Sequence, residues 1–379
     1  MRVPPPQRLY FEPAVHLRSQ SAFCPHAGLI SAGALEHNFQ FLSRQAERPL
    51  LLPVKANAYG HGVRAVAPVA AASAVVAGMA VATPTEALEL AELLRELNCR
   101  KPVLLFGPSF ADEWPALVAA GVQLTVNTLA EAQALPDGAR AQLKVNTGMN
   151  RQGLHPAQAL EVGQELQRRG LLAGVYSHFS EAEAPDHALS WEQFAAFQEL
   201  LKHFPGVLHH MGNSAAVLNL GPLPGMDLAR PGLSSYGVMP PIHTPELIPA
   251  MTVQARITFL HWAKAGERVS YNGLDTLERD TLIATLPIGY ADGYPRRATG
   301  QAEVLIGGER RRVLGRVCMD QLMVDATGLD VTAGDWVTLW GRDEWGQELH
   351  ISELSRWTGQ AEYELLTQLG RRTPRIAAP

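Results

Sequence analysis

A lysine at the end of a short apolar run is the first feature that suggests chemistry. The run of Leu50, Leu51, Leu52, Pro53 and Val54 ends in Lys55, and small, turn-prone residues follow it. A buried parallel strand delivers a side chain to a site at its carboxyl end in this way. The chain has only five lysines, and lysine can lose its proton where arginine cannot. We therefore predict an amine that works unprotonated; the alternative is a strand-end lysine that extends to solvent.

The residues after this lysine favour a binding site. Tyr59 supplies a phenol, and Gly60 and Gly62 allow close approach of the backbone before the next helix. The stretch VKANAYGHG, residues 54–62, resembles the signature of the alanine racemase family. The resemblance implies that Lys55 binds pyridoxal phosphate (PLP) covalently and that Tyr59 contacts the phosphate of this cofactor.

Two domains of different pattern must position these residues. Apolar runs alternate with helical periods between residues 26 and 250, which predicts a (β/α)8 TIM barrel with its site where the strands end. The predicted strands are 50–55, 75–82, 103–106, 122–126, 141–145, 171–178, 207–210 and 226–230. Short strands between glycine turns predict a smaller, mostly β C-terminal domain at residues 251–379 with one final helix at 351–369. Residues 1–25 read as an irregular extension.

Helix starts are marked by local chemistry in this alternating region. Thr83-Pro84-Thr85-Glu86 reads as a capping box with proline at the first helical position. A second box, Ser190-Trp191-Glu192-Gln193, predicts the start of a later helix. A first helix is predicted at residues 31–44, before the strand that ends in Lys55.

Phosphate is expected after the last two barrel strands, where backbone amides and a helix N-terminus commonly bind it. Asn213 and Ser214 open a short helical segment there, and Gly232 and Leu233 follow the eighth strand. The motifs HMGNSAA and ARPGLSSYG resemble family segments that bind the PLP phosphate. A helix-opening serine considered alone would be only a cap.

Arg230 is the most diagnostic basic residue for the chemistry. The resemblance implies that it donates a hydrogen bond to the pyridine nitrogen of PLP, a place where most PLP enzymes have a carboxylate. A guanidinium cannot accept the proton, so the ring stays neutral and return of a proton to the α-carbon is favoured over transamination. The alternative is a structural arginine paired with an acid such as Asp227.

The stretch KVNTGMNRQG, residues 144–153, resembles another family signature. It implies that Arg151 contacts the phenolic oxygen of the cofactor and the carboxylate of the substrate, which suits a forked donor. Lys144 matches a lysine that carries a carbamate in some members. Asn146 stands where aspartate is usual, so the local charge departs from the family pattern.

The remaining site residues come from three separate stretches. His178 in VYSHFS matches a histidine that hydrogen-bonds the second catalytic residue. That residue is predicted to be Tyr290 in PIGYADGYPR, with Tyr294 as a nearby competitor. Met319 in VCMDQ matches the residue whose backbone helps to bind the substrate carboxylate. Arg371 replaces a tyrosine that contacts phosphate in some members.

Composition describes an ordinary globular enzyme-sized protein. The 32 basic and 37 acidic residues give a net charge of −5 and no basic face beyond residues 310–312, so no nucleic-acid partner is expected. Three scattered cysteines predict neither a disulfide framework nor a metal site and favour a reducing cytoplasm. No apolar run predicts a signal peptide or a membrane span.

The resemblance covers residues 27–379, with its motifs in the family's order. It implies interconversion of L-alanine and D-alanine, with Lys55 and Tyr290 as bases on opposite faces, because inversion requires two. It also implies a homodimer with shared active sites that supplies D-alanine for peptidoglycan. The alternatives are a broad-specificity amino-acid racemase, a non-catalytic PLP carrier and a PLP decarboxylase, which should have an acid in place of Arg230.

Overall fold

The computed structural model describes residues 24–239 and 244–379, which form two compact units. Of the described residues, one unit contains 34–239 and 244–248, and the other contains 24–33 and 249–379. The first strand, β1 (His26–Ser31), pairs with two strands of the second unit. Residues 26–33 therefore do not belong to the barrel, where the predicted boundary placed them. Most of the predicted extension at 1–25 lies outside the described residues.

The barrel unit is built on a parallel sheet with strands in sequential order. Its strands are β2 (Leu50–Pro53), β3 (Val76–Val81), β4 (Val103–Leu105), β5 (Val122–Val126), β6 (Arg140–Lys144), β7 (Leu172–Tyr176) and β8 (Leu208–His210). Strands β2, β4 and β5 are buried along their whole length, as expected where helices cover a parallel sheet.

The eighth predicted strand, at residues 226–230, is reduced to two isolated bridges. Leu228 pairs with His210 at the end of β8, and Ala229 pairs with Leu50 at the start of β2. These bridges connect the last strand to the first and close the sheet, so the barrel architecture is confirmed although this strand is not regular.

Helices cover the barrel strands. They are α1 (Ala32–Ala46), α2 (Val63–Ala72), α3 (Pro84–Glu96), α4 (Trp114–Ala119), α5 (Leu129–Ala134), α6 (Pro156–Arg168), α7 (Ala188–Leu201) and α8 (Ser214–Asn219). The predicted capping box at Thr83 and Glu86 is confirmed at the start of α3. The box predicted at Ser190 is wrong, because α7 begins two residues earlier and Ser190 is buried inside the helix. Among the described residues, no helix is both long and apolar enough to cross a membrane.

The second unit is mostly β, as predicted. Its further strands are β9 (Met251–Arg256), β10 (Phe259–Ala263), β11 (Arg268–Val269), β12 (Asp275–Thr276), β13 (Thr281–Leu286), β14 (Glu303–Ile306), β15 (Glu309–Leu314), β16 (Leu322–Asp325), β17 (Trp336–Arg342), β18 (Glu348–Leu349) and β19 (Arg375–Ala378). The predicted final helix is two helices, α9 (Ile351–Thr358) and α10 (Glu362–Gln368). Gly359 separates them with a φ of 65°, a conformation that ends helices.

Candidate active site

Lys55 stands at the start of a left-handed turn and not in a strand. Strand β2 ends at Pro53, and the four residues from Ala56 to Tyr59 have φ between 51° and 54°. This turn places the Lys55 amine 5.9 Å from the centre of the Tyr59 ring. Burial lowers the pKa of Lys55, the charge of Arg151 lowers it further, and Glu86 opposes the shift. Lys55 is therefore a lysine whose neutral amine is easier to form, as the sequence predicts.

Tyr59 is held in a small aromatic cluster. Its ring lies 5.2 Å from the ring of Tyr236, whose hydroxyl donates to the carbonyl oxygen of Pro53. A Cβ atom on Gly232 would lie 2.6 Å from the Tyr59 hydroxyl oxygen, so a side chain at this position would displace the phenol. The phenol and the Gly232 backbone thus form a narrow cradle after the eighth strand.

Ser214 connects this cradle to helix α8. Its hydroxyl oxygen accepts the backbone N–H groups of Gly232 at 2.8 Å and Ser234 at 3.3 Å. Leu233 is buried and begins a single 3-10 turn. Asn213 caps α8 by accepting the backbone N–H of Ala216 at 2.9 Å. Ser214 keeps its own O–H to donate, whereas the Asn213 oxygen is already used by the cap.

Arg230 is buried at the end of the eighth predicted strand, and its guanidinium contacts several groups. One terminal nitrogen donates to His210 Nδ1 at 2.7 Å. The other donates to the carbonyl oxygens of Ser177 and Met211 and lies 3.2 Å from His178 Nδ1. Asp227 is not its partner, because the Asp227 carboxylate accepts the backbone N–H of His209. The predicted alternative of an Arg230–Asp227 pair is therefore wrong.

The bonds to Arg230 determine the protonation of both histidines. A guanidinium only donates, so Nδ1 of His210 and of His178 must be unprotonated. His210 then carries its proton on Nε2 and donates to Gln142 Oε1 at 2.6 Å. Burial, followed by the charge of Arg230, holds the pKa of each histidine well below its ordinary value. The two histidines that contact Arg230 are therefore neutral.

Sequence reasoning missed the support behind Arg230. Gln142 Nε2 donates to Gln123 Oε1 at 2.7 Å, so a buried chain runs from Gln123 through Gln142 and His210 to Arg230. Both glutamines lie in the buried strands β5 and β6. A glutamine within an otherwise apolar strand was the signal that could have indicated this chain.

The neutral histidines predict a loss of stability in acid. Each one takes up a proton in the unfolded chain below a pKa of about 6.5 but not in the fold, which costs up to about 1.4 kcal/mol per pH unit. The stability is therefore present above this pKa and lost as pH falls through it. In calorimetry of the cofactor-free protein, His210→Gln should show a smaller fall in Tm from pH 7.5 to 5.5 than the wild type. Equal falls would show that His210 is protonated in the fold.

Lys144 adds a second buried amine to the site. Its Nζ lies 4.7 Å from the centre of the Tyr176 ring. Burial, then Arg230 and Arg151, hold the pKa of Lys144 well below its ordinary value. Asn146 organises the loop that follows, because its side-chain oxygen accepts the N–H groups of Gly148 and Asn150.

The site is strongly electropositive. Within residues 24–239 and 244–379, neither Lys144, Arg151 nor Arg230 forms an ion pair with a carboxylate. Arg151 is exposed, but its charge affects the pKa of both Lys55 and Lys144. Cations without acidic partners favour an anionic ligand, such as a phosphate or a carboxylate.

Tyr290 and Met319 lie on neighbouring turns of the β-rich unit. The backbone N–H of Tyr290 donates to the carbonyl oxygen of Cys318, and the N–H of Ala291 donates to the carbonyl oxygen of Met319. Arg372 bridges the two turns, with Nε 3.0 Å from buried Asp292 and a terminal nitrogen 2.8 Å from Asp320. The side chain of Tyr290 is 42% exposed, whereas Tyr294 is fully buried against Trp340. Of the two candidates, only Tyr290 presents its phenol at the surface.

Family models and known proteins match this chain over almost its whole length. The model described as "Alanine racemase, N-terminal domain" matches residues 30–240, and that for the C-terminal domain matches residues 250–377. Alanine racemase of Deinococcus radiodurans is 52% identical over 348 residues, covering 91% of this chain and 97% of the relative. That of Deinococcus deserti is 50% identical over 354 residues, covering 93% and 98%.

Solved structures give the same result. Alanine racemase from Streptomyces coelicolor matches with a TM-score of 0.84 at 32% identity, covering 94% of this chain and 99% of the other. Alanine racemase from E. faecalis also matches with a TM-score of 0.84, at 29% identity, covering 93% and 98%. The likeness extends through both units.

Proposed function

The chain belongs to the alanine racemase family and interconverts L-alanine and D-alanine, and we propose that it does so with PLP bound through Lys55 and with Lys55 and Tyr290 as the two bases. The observation that carries the proposal is a lysine of lowered pKa in the same unit as a buried arginine that contacts no carboxylate of the described residues. Such an arrangement supplies an amine and an electropositive site for an anionic cofactor.

The residues present fit PLP. A side chain at residue 232 would displace the Tyr59 phenol from the cradle, and the hydroxyls of Tyr59 and Ser214 are donors for a phosphate. We assign the phosphate to these groups, with Asn213, Gly232 and Leu233 supplying the loops around it. When bound, PLP withdraws electrons from the α-carbon of the amino acid and lowers the cost of removing its proton.

Arg230 tunes that withdrawal. We assign its guanidinium to the pyridine nitrogen, to which it can donate a hydrogen bond but not a proton. A site for this role needs a cation whose hydrogen-bond partners are neutral, and the neutral His178 and His210 fit this requirement. The decarboxylase alternative requires an acid in place of Arg230, so the arginine at this position disfavours it.

The two bases have separate tasks. Lys55 takes or returns the α-proton on one face of the alanine, and Tyr290 does so on the other. An ordinary phenol keeps its proton at neutral pH, so we propose that His178 assists Tyr290. Arg151 and the backbone of Met319 are assigned to the substrate carboxylate, because the forked guanidinium can bind both of its oxygens.

Lys144 is proposed to carry a carbamate in part of the molecules. A carbamate forms when a neutral amine attacks CO2 and releases a proton, and the lowered pKa of Lys144 favours the neutral amine. The oxygen of Asn146 is bound in its own loop and has no charge, so the carbamate would supply the negative charge beside Arg151.

The proposed assembly is a homodimer in which each copy supplies Tyr290 to the barrel of the other. The proposed role is D-alanine supply for peptidoglycan in the cytoplasm, a reducing compartment that suits the three free thiols. A second copy is the only macromolecular partner proposed.

Incubation with PLP and L-alanine in heavy water tests the function. We expect D-alanine that carries deuterium at the α-carbon, because the proton returned comes from solvent through a base. The Lys55→Ala variant is the control. L-alanine that stays unchanged in the presence of bound PLP would support the carrier alternative, and faster racemisation of other amino acids would support the broad-specificity one.

A further inference from the structure

The turn that follows Lys55 has an unusual backbone. Ala56, Asn57, Ala58 and Tyr59 all have φ between 51° and 54°, and none of them is glycine. For an L-residue with a side chain this conformation costs roughly 1–2 kcal/mol. Four such residues in succession persist only where the surroundings hold them. The contacts that hold this turn therefore determine where the Lys55 side chain points.

Glu86 makes one of these contacts from another part of the chain. Its Oε1 accepts the backbone N–H of Ala56 at 2.6 Å, the first amide after Lys55. Its Oε2 accepts the N–H groups of Ala82 at 2.9 Å and Thr83 at 3.2 Å. One carboxylate thus joins the segments that follow β2 and β3 with hydrogen bonds strengthened by its charge.

A second helix of the barrel provides an internal comparison. At the start of α5, the Glu131 N–H donates to Thr128 Oγ1 at 3.1 Å, and the Glu131 carboxylate accepts the N–H of Asn127 at 2.7 Å. Glu86 makes the same pair of local contacts around Thr83. Capping therefore accounts for one oxygen of Glu86, and the other is used for the turn after Lys55.

We propose that Glu86 is a positioning residue that holds the left-handed turn and so aims the Lys55 amine and the Tyr59 ring. The reaction served by that amine rests on the proposed function, but the geometry does not. The charge of Glu86 alone has an opposite effect, because it raises the pKa of Lys55 and favours the unreactive cation.

The Glu86→Gln variant separates the two effects. The amide keeps one acceptor oxygen and turns an NH2 group toward an N–H donor, so one side of the bridge is lost. We expect attachment of PLP to Lys55, followed by borohydride trapping and peptide mapping, to be slowed about tenfold or more. The rate at which Lys55 is acetylated in the cofactor-free protein should change as well. Faster attachment would show that Glu86 acts only through its charge and would overturn the proposal.

Glu131→Gln is the matched control. It removes the same kind of cap from α5 and should lower Tm to a similar extent, while the rate of PLP attachment stays within about twofold of wild type. If PLP attachment is slowed equally in the two variants, Glu86 acts only as a helix cap. Glu86→Asp, which keeps the charge and the cap but shortens the reach, provides the same test if the glutamine variant does not fold.

Ala56→Gly gives a rescue that a merely structural role would not show. Glycine adopts positive φ at no steric cost, so the turn needs less support. We expect Ala56→Gly to restore attachment several-fold in the Glu86→Gln background and to change it little in the wild type. A lack of rescue would contradict the positioning role. These readouts are independent of alanine turnover, so a protein that attaches PLP normally but does not racemise alanine would refute the proposed function alone.

Discussion

Arg230→Glu is expected to lower kcat/KM for alanine racemisation by about 100-fold or more, equivalent to about 2.7 kcal/mol, and to raise the fraction of turnovers that release pyruvate. The physical reason is the direction of the hydrogen bonds. Arg230 donates to His210, His178 and two carbonyl oxygens. A carboxylic acid can instead give a proton to the pyridine nitrogen, which strengthens electron withdrawal and favours transamination.

The measurement is the ratio of pyruvate formed to α-proton exchanged, taken at saturating PLP. Arg230→Lys is the matched control, because it keeps a cation but has fewer donors than the four contacts require. The lysine variant should lose racemase activity without an increase in pyruvate. If the glutamate variant only binds PLP more weakly, with an unchanged pyruvate fraction, the role of Arg230 is structural.

Local chemistry explains what could be predicted from the sequence. The capping box of Thr83 and Glu86 could be predicted because it depends on residues only three positions apart. The lowered pKa of Lys55 agrees with a lysine that follows a buried strand. The barrel followed from strand and helix periods, which are also local properties.

The missed features depend on partners that are distant along the chain. Strand β1 pairs with β19, more than 300 residues away, so no local pattern could place residues 26–31 in the β-rich unit. The chain of hydrogen bonds from Gln123 to Arg230 joins side chains that lie 19, 68 and 20 residues apart in the sequence. The left-handed turn could not be predicted, because alanine rarely adopts a positive φ and nothing local indicates it. The contact that supports the turn comes from Glu86, 30 residues further along the chain.

Mixing inactive Lys55→Ala and Tyr290→Phe subunits is expected to restore racemisation. Tyr290 lies on an exposed turn of the β-rich unit, held by Arg372 through Asp292 and Asp320. Lys55 lies in the barrel unit. If each copy serves the barrel of the other, a mixed dimer contains one site with both defects and one site with neither.

The expected size of this recovery follows from symmetry. Free exchange of equal amounts makes half of the dimers mixed, and half of their sites are intact, which gives about one quarter of wild-type activity. Tyr290→Phe alone should slow proton removal from L-alanine more than from D-alanine, because Lys55 still serves the D face. Tyr294→Phe is the control, since Tyr294 is buried and its loss should affect Tm more than exchange of the α-proton. When native mass spectrometry shows mixed dimers and activity still does not return, each subunit must use its own tyrosine, and the shared site is wrong.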